Sequence, residues 1–201
     1  QIKRAHLLLA MFNALQPGTF ALSGWDLCGM LTLDRKQVNW LLADGDTRWI
    51  HRGAYDLVDM NPDAEFSAGQ MPRPKTLYGS LPSQLKDPDS FASQLKKILA
   101  ARRAYDIAAS RQILVPDVEH PGLLIMVHEL PAGKGTQITA LNFSAHAITE
   151  TLHLPNIAPG PVVDIINERV EGDLTAEGEF TITLDGYEGL ALRVVSSSPL
   201  I

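Results

Sequence analysis

The chain has 201 residues, 45% of them apolar, with 17 basic and 23 acidic side chains and a net charge of −6. That is length for one large domain or two small ones, with an ordinary globular composition. The acidic balance, and the lack of any long Lys/Arg run, exclude duplex nucleic acid and an anionic membrane surface as partners, because both recruit basic side chains. Cys28 is the only cysteine, so no intrachain disulfide forms and a reducing cytoplasm is compatible. Nothing beside it in the sequence would lower its pKa, and it reads as a small buried hydrophobe rather than a nucleophile.

In chain order, residues 2–15 read as a helix. Ile2, Ala5, Leu9 and Phe12 mark one stripe, while Leu7, Leu8, Met11 and Leu15 fill other sides, the pattern of a helix buried on most faces. Its apolar run AHLLLAMFNAL is 11 residues, short of the roughly 18 to 20 that a membrane-spanning helix needs. No A-x-A-like cleavage site follows it, so it does not read as a signal peptide. Pro17 forbids continuation. FALSG (20–24) then has the length of a strand buried on both faces, and helix, tight turn and buried strand make the αβ half of a βαβ repeat. The chain starts at Gln1, inside the helical pattern, and reads as a piece of a longer polypeptide.

Residues 31–89 are irregular and rich in glycine and proline, with short helical turns expected only at 36–42 and 83–86. Trp40, Trp49, Tyr55 and Tyr78 argue against disorder in this stretch, and so long a loop in a compact domain implies use. Residues 89–105 form a second helix, capped by Asp87 or Asp89, with Phe91, Leu95, Ile98, Leu99 and Tyr105 at helical spacing and Lys96, Lys97 and Arg103 on a solvent face. From about residue 111 the period becomes two. Candidate strands lie at 111–118, 122–130, 136–144, 147–154, 162–167, 179–184 and 188–195, separated by Gly/Pro/Asn/Asp turns. Close strand spacing without intervening helices predicts an antiparallel sandwich, with a domain boundary near 110. Ser196, Ser197 and Ser198 read as a frayed tail.

The stretch IKRAHLLLAMFNALQPGTFALSGWDLCG (2–29) resembles the last part of an α-amylase-type (β/α)8 barrel, in which a helix, a P-G-T turn and the eighth strand follow one another. GWDLCGMLTLDRKQVNWLLADGDTRWIHRGAYDL (24–57) and LYGSLPSQLKDPDSFASQL (77–95) are similar to the trehalose synthase branch of that family, maltose α-D-glucosyltransferases that interconvert maltose and trehalose. The resemblance covers essentially the whole chain. It implies an α+β, multidomain fold: residues 1–110 as the C-terminal end of the catalytic barrel (helix, strand eight, long loop 31–89, helix eight), and residues 111–201 as the C-terminal β-sandwich.

The same resemblance implies retaining glucosyl transfer. An aspartate attacks the anomeric carbon, a glutamate about 5 to 5.5 Å away acts as acid and then base, and a second aspartate holds ring hydroxyls. The freed glucose stays in a closed pocket and is rejoined through its anomeric hydroxyl, with water kept out. In the family these carboxylates follow strands four, five and seven, upstream of this piece. No catalytic residue is therefore assigned here, Asp26, Asp34, Asp44 and Asp56 are not promoted to replace them, and the chain alone is expected to be inactive.

What this piece would supply is the wall of the site. Strand ends at the C-terminal face of such a barrel carry the chemistry, which places Trp25 and Asp26 at its lip, the indole to stack on a sugar and the carboxylate to accept sugar hydroxyls. The alternative is local: Asp26 caps a following turn and Trp25 packs under the long loop. Arg48, Trp49, His51 and Arg52, with Tyr55 and Asp56, are candidates for a wall or lid over the substrate. Their alternative is that Arg48 and Arg52 pair with Asp44, Asp46 and Asp56 to hold the loop itself.

Other constellations are absent from the sequence. The six histidines show no zinc-ligand spacing, and neither G-x-S-x-G, G-x-G-x-x-G nor a P-loop occurs. Calcium in the family sits mainly upstream, so no metal and no cofactor is assigned. The expected partners are maltose and trehalose, in a cytoplasmic enzyme. A related α-glucosidase or α-amylase fragment is the nearest alternative. A freestanding carbohydrate-binding module is another, for which the sandwich offers only Phe143, Phe180 and Tyr187. Apolar surface left open on the barrel-derived helix predicts self-association.

Overall fold

The computed structural model describes residues 1–195, so Ser196–Ser198 lie outside the described residues. The chain divides into two compact units. One joins residues 1–20 to residues 95–201, and the other comprises residues 21–94. Among the described residues no helix is long and apolar enough to cross a membrane.

The first unit is a sheet covered on both faces. Helix α1 (Ile2–Ala14) runs to the residue before Leu15, and α4 (Phe91–Ala104) contributes its C-terminal turns. Eight strands follow, β1 (Arg111–Leu114), β2 (Leu123–Glu129), β3 (Thr136–Asn142), β4 (Ile148–His153), β5 (Gly160–Asp164), β6 (Arg169–Leu174), β7 (Glu179–Leu184) and β8 (Gly189–Val194). Six of them form one antiparallel sheet in the order β1-β2-β3-β8-β5-β6, while β4 and β7 pair as a separate two-stranded ribbon. Strand alternation sorts the core. Ile125, Val127, Ile138, Ala140 and Leu192 turn towards Ile148, Leu152, Phe180 and Ile182 of the ribbon. Met126, Leu141 and Ala191 turn the other way, onto Leu8, Met11, Leu15 and Ile98 of the helices. Burial on both faces explains why GLLIMVHEL reads as an almost continuous apolar run. Gly189 lets the helix come close, since a Cβ there would lie 2.8 Å from Leu141 and 2.9 Å from Leu8.

Three sequence expectations change. FALSG (20–24) is not a strand: the segment is extended but unpaired, Ala21 is exposed, and a helix begins at Gly24. A strand needs a neighbour to take its backbone hydrogen bonds, and no described segment of this chain pairs with it. Helix α1 is buried on one face only. Leu8, Met11 and Ala14 are buried, but Ile2 and Leu9 remain 67% and 52% exposed. Strand β6 was not expected, because RVEGDL carries three charges and its apolar alternation, Val170 and Leu174, is broken by Gly172. Its Gly172, at φ 145°, lies under the Phe180 ring, with the ring edge 3.3 Å from where a Cβ would stand.

The second unit is made of short pieces: α2 (Gly24–Cys28), 3₁₀ helices at Arg35–Leu41 and Thr47–His51, and α3 (Leu81–Gln84). Single bridges, Met30 with Thr76 and Phe66 with Pro72, fold the long loop back on itself. Gln84 is the hub. It is only 2% exposed, donates to Leu27 O at 2.8 Å and Gly79 O at 3.1 Å, and accepts from Ala92 N at 3.0 Å. Tyr78 stacks on Phe91 at 5.0 Å, and burial pushes the Tyr78 phenol up from its usual pKa.

Candidate functional site

Trp25 and Asp26 occupy the first turn of α2 rather than a strand tip. Ser23 caps the helix: its hydroxyl oxygen accepts from Asp26 N at 3.2 Å, and the Asp26 carboxylate accepts from Ser23 N at 3.3 Å and Ser23 Oγ at 2.7 Å. This reciprocal capping box satisfies backbone N–H groups that the helix start leaves open. Gly29 closes the helix at φ 62°, in the left-handed region. The Trp25 indole donates to Gly53 O at 2.9 Å and meets the Tyr55 ring edge-on at 6.2 Å. Tyr55 in turn lies on Gly24, where a Cβ would stand 2.4 Å from the phenol oxygen. Both side chains thus have local work that matches the turn-cap and under-loop reading of them. Cys28, whose pKa burial raises, donates to Trp25 O at 3.3 Å and behaves as a small hydrophobe.

Downstream of Gly53 the loop forms an open cleft of about 440 Å³, lined among others by Tyr55, Asp56, Met60, Asn61, Phe66 and Arg73. Phe66 and Tyr55 are 51% and 42% exposed, so two aromatic rings border solvent. The cleft floor is built by turn chemistry. Asp56 accepts from Asn61 N at 2.6 Å and Val58 N at 3.3 Å, which holds its carboxyl below the usual range. Arg73 Nη1 donates to Asn61 O at 2.8 Å and Pro62 O at 3.1 Å. Met60, Phe66 and Arg73 were not singled out from the sequence. The sequence signal for Phe66 and Arg73 is the Ser67-Ala68-Gly69-Gln70 turn between them, which the structure closes with Gln70 N donating to Ser67 O at 2.9 Å.

The basic cluster is a separate group. Arg48 Nε and Nη2 grip the Asp46 carboxylate at 2.7 and 2.8 Å, the bidentate geometry that guanidinium favours. Arg52 stands 3.7 Å from the same carboxylate and stacks on Trp49 at 5.2 Å. His51 is exposed. Arg48, Trp49 and Arg52 are therefore brought together around Asp46, with Asp46 rather than Asp44 or Asp56 as the partner. The Arg48 side chain, with its backbone N–H, lowers the Asp46 pKa to about 2. A carboxylate titration followed by NMR is expected to place Asp46 near that value, and to return it towards the ordinary ~3.9 in Arg48→Gln. An unchanged midpoint in the variant would show that the pair does not form in solution.

No protein-family profile matches the chain, and no curated protein matches it either. Solved structures do. Trehalose-6-phosphate hydrolase of Bacillus licheniformis matches over 96% of this chain and 39% of its own, at 15% identity and TM-score 0.64. AmyP, determined with maltotriose, matches over 98% of this chain and 35% of its own, at 16% identity and TM-score 0.62. Amy13B of Eubacterium rectale matches over 96% and 35%, at 15% identity and TM-score 0.61. The chain shares the fold of the C-terminal region of α-amylase-type glycoside hydrolases. It spans about 35–39% of the length of these neighbours. The likeness takes in the helices and the long loop as well as the sandwich, because it extends over nearly the whole chain.

Proposed function

We propose that this chain is the C-terminal part of a trehalose synthase, a maltose α-D-glucosyltransferase of the α-amylase family. In this reading residues 1–110 complete the catalytic barrel and residues 111–201 form the sandwich beyond it. The observation that carries the reading is the fold match over 96–98% of the chain to glycoside hydrolases. The resemblance of 24–57 and 77–95 to the trehalose synthase branch narrows it to the isomerase.

Residues Trp25, Asp26, Arg48, Trp49, His51 and Arg52 are proposed to line or position the substrate wall. Trp25 would act through the Gly53–Tyr55 segment that it supports, Asp26 through the helix cap that fixes Trp25, and the Arg48–Asp46–Arg52 cluster would stiffen the lid. Stiffness matters to the chemistry, since a loose lid admits water and turns transfer into hydrolysis. The upstream part supplies the carboxylates. A cytoplasmic site of action fits a chain that needs no disulfide.

The test is product analysis. The longer enzyme given maltose is expected to form trehalose as main product with little glucose, while the 21.9 kDa chain alone turns over nothing. Glucose as sole product would replace the proposal by the α-glucosidase or amylase reading, for which the trehalose-6-phosphate hydrolase neighbour speaks. Trp25→Ala in the longer enzyme is expected to raise the glucose-to-trehalose ratio about tenfold.

The exposed Ile2 and Leu9 on α1 support a second proposal, that the isolated chain self-associates through that face. Sedimentation velocity is expected to show a species of twice the 21.9 kDa chain mass, abolished by Leu9→Glu. A monomer at every concentration would refute it.

A further inference from the structure

The β4–β7 ribbon has one edge to which no described strand is paired, since β4 bonds only to β7. Which backbone groups face that edge follows from the register. Leu154 N donates to Gly178 O at 2.8 Å, two residues beyond the Leu152↔Phe180 pair. Antiparallel pairs alternate between hydrogen-bonded and open. Ile148, Glu150 and Leu152 therefore exchange bonds with β7, and Thr149, Thr151 and His153 turn their N–H and C=O groups outward.

A cleft of about 540 Å³ runs along these same residues, with Asp117, Val118 and Glu119 on its other side. Its lining carries three carboxylates, Asp117, Glu119 and Glu150, and no lysine or arginine. Glu150 is the inner one: 8% exposed, it accepts from Glu119 N at 2.8 Å and stands 3.9 Å from His120 Nε2. The hydroxyl pairs Thr149–Thr183 and Thr151–Thr181, each 2.9 Å, keep the ribbon face in register beside the cleft.

An open strand edge is a template for an added strand, and the side chains along it decide which strand is accepted. A second copy of β4 would bring these carboxylates against their own images, which is unfavourable. A cationic strand meets them with opposite charge. We propose that the free edge of β4 docks an extended, lysine- or arginine-bearing segment of another protein as a further strand. The outward residues Thr149, Thr151 and His153 supply the main-chain hydrogen bonds, and Asp117 and Glu119 supply the charge that selects a basic segment. The inference is independent of the proposed function.

The test uses the 201-residue chain and an acetylated, amidated hexapeptide alternating lysine and valine, with an alternating glutamate and valine peptide as control. Amide NMR shifts are expected to centre on Thr149, Thr151 and His153, with binding weakened by salt. Thr151→Pro removes an outward N–H while leaving the β4–β7 bonds in place, because proline is tolerated on the open side of an edge strand. It is expected to weaken binding at least tenfold. The double charge reversal Asp117→Lys with Glu119→Lys, which leaves the edge intact, is expected to do the same and to let the glutamate peptide bind instead. Equal binding of both peptides, shifts centred away from β4, or a dimer formed through β4 in the absence of peptide would each overturn the proposal.

Discussion

Arg102→Met is expected to destabilise the chain by about 2–4 kcal/mol, the cost of losing hydrogen bonds from a charged donor to backbone carbonyls. The sequence explains why so much depends on one side chain. Pro17 stops α1 abruptly, and the last carbonyls of a helix have no N–H of their own to accept. Arg102 lies on α4, only 9% exposed. Its Nη1 donates to Ala14 O and, at 2.6 Å, to Gln16 O, while Nη2 donates to Gly18 O. The guanidinium thus fills the place of the missing donors, with its charge at the negative end of the α1 dipole. Methionine matches the stem but leaves the buried Ala14 carbonyl without its donor, at about 1–3 kcal/mol, and gives the half-buried Gln16 and exposed Gly18 carbonyls over to water. Urea unfolding followed by circular dichroism reads the loss. Arg103→Met, one residue on and exposed, is the control and is expected to stay within about 0.5 kcal/mol. Equal losses in the two variants would mean that Arg102 acts only as bulk. Arg102→Lys is expected to fall between, since a single ammonium cannot meet diverging carbonyls as a planar fork does.

Stability is expected to fall as the pH drops below about 6.5, by up to ~1.4 kcal/mol per pH unit, with His128 as the cause. His128 sits in β2, fully buried, opposite Gln112 on β1 and Gln137 on β3. Among the described residues neither ring nitrogen has a hydrogen-bond partner, nor does Gln137 Oε1, while Gln137 Nε2 is committed to Leu15 O at 2.9 Å and Thr139 Oγ1 at 2.7 Å. Next in register on β8 is the Arg193 guanidinium, stacked over Tyr105 at 5.5 Å. Burial lowers the His128 pKa from its ordinary 6.5. The sign follows directly. Below 6.5 the unfolded chain takes up a proton that the folded one refuses, so unfolding is favoured as the pH falls, until the depressed folded pKa is reached. Above 6.5 both states are neutral and the term vanishes. His128→Leu should flatten the difference between unfolding midpoints at pH 7.5 and 5.5. If the slope survives in the variant, other groups set the acid limit.

These two residues mark what a linear reading misses. In the sequence Arg102 is one more basic residue near a helix end, beside Arg103, and it was not singled out. Only its position over the end of α1, more than 80 residues earlier in the chain, makes it a cap. His128 stands near the end of the almost continuous apolar run GLLIMVHEL, and nothing local distinguishes a histidine that faces helices from one that faces water. Gln84, the hub of the second unit, was equally silent, because an amide shows its value only when distant backbone groups converge on it. Asp46 and Arg48 were visible as candidates for a pair, since an aspartate two residues before an arginine at a turn start is local chemistry.

The sequence by itself determined the elements whose cause is local: α1 up to Pro17, the second helix, and seven of the eight strands through their alternation and their turn residues. It also carried the resemblance to α-amylase-type enzymes, whose fold the structure shares. Tertiary structure alone decided the rest. It left 20–24 unpaired because a strand exists only with a neighbour, and it made a strand of RVEGDL because β5 offered one. It turned Trp25 and Asp26 from the expected strand tip into a helix cap and a loop support, and it set β4 at an open edge. The physical reason is the range of the forces involved. Propensity, capping and periodicity act within a few residues, whereas backbone pairing, burial of charge and the closing of a cleft depend on segments that only the folded chain brings together.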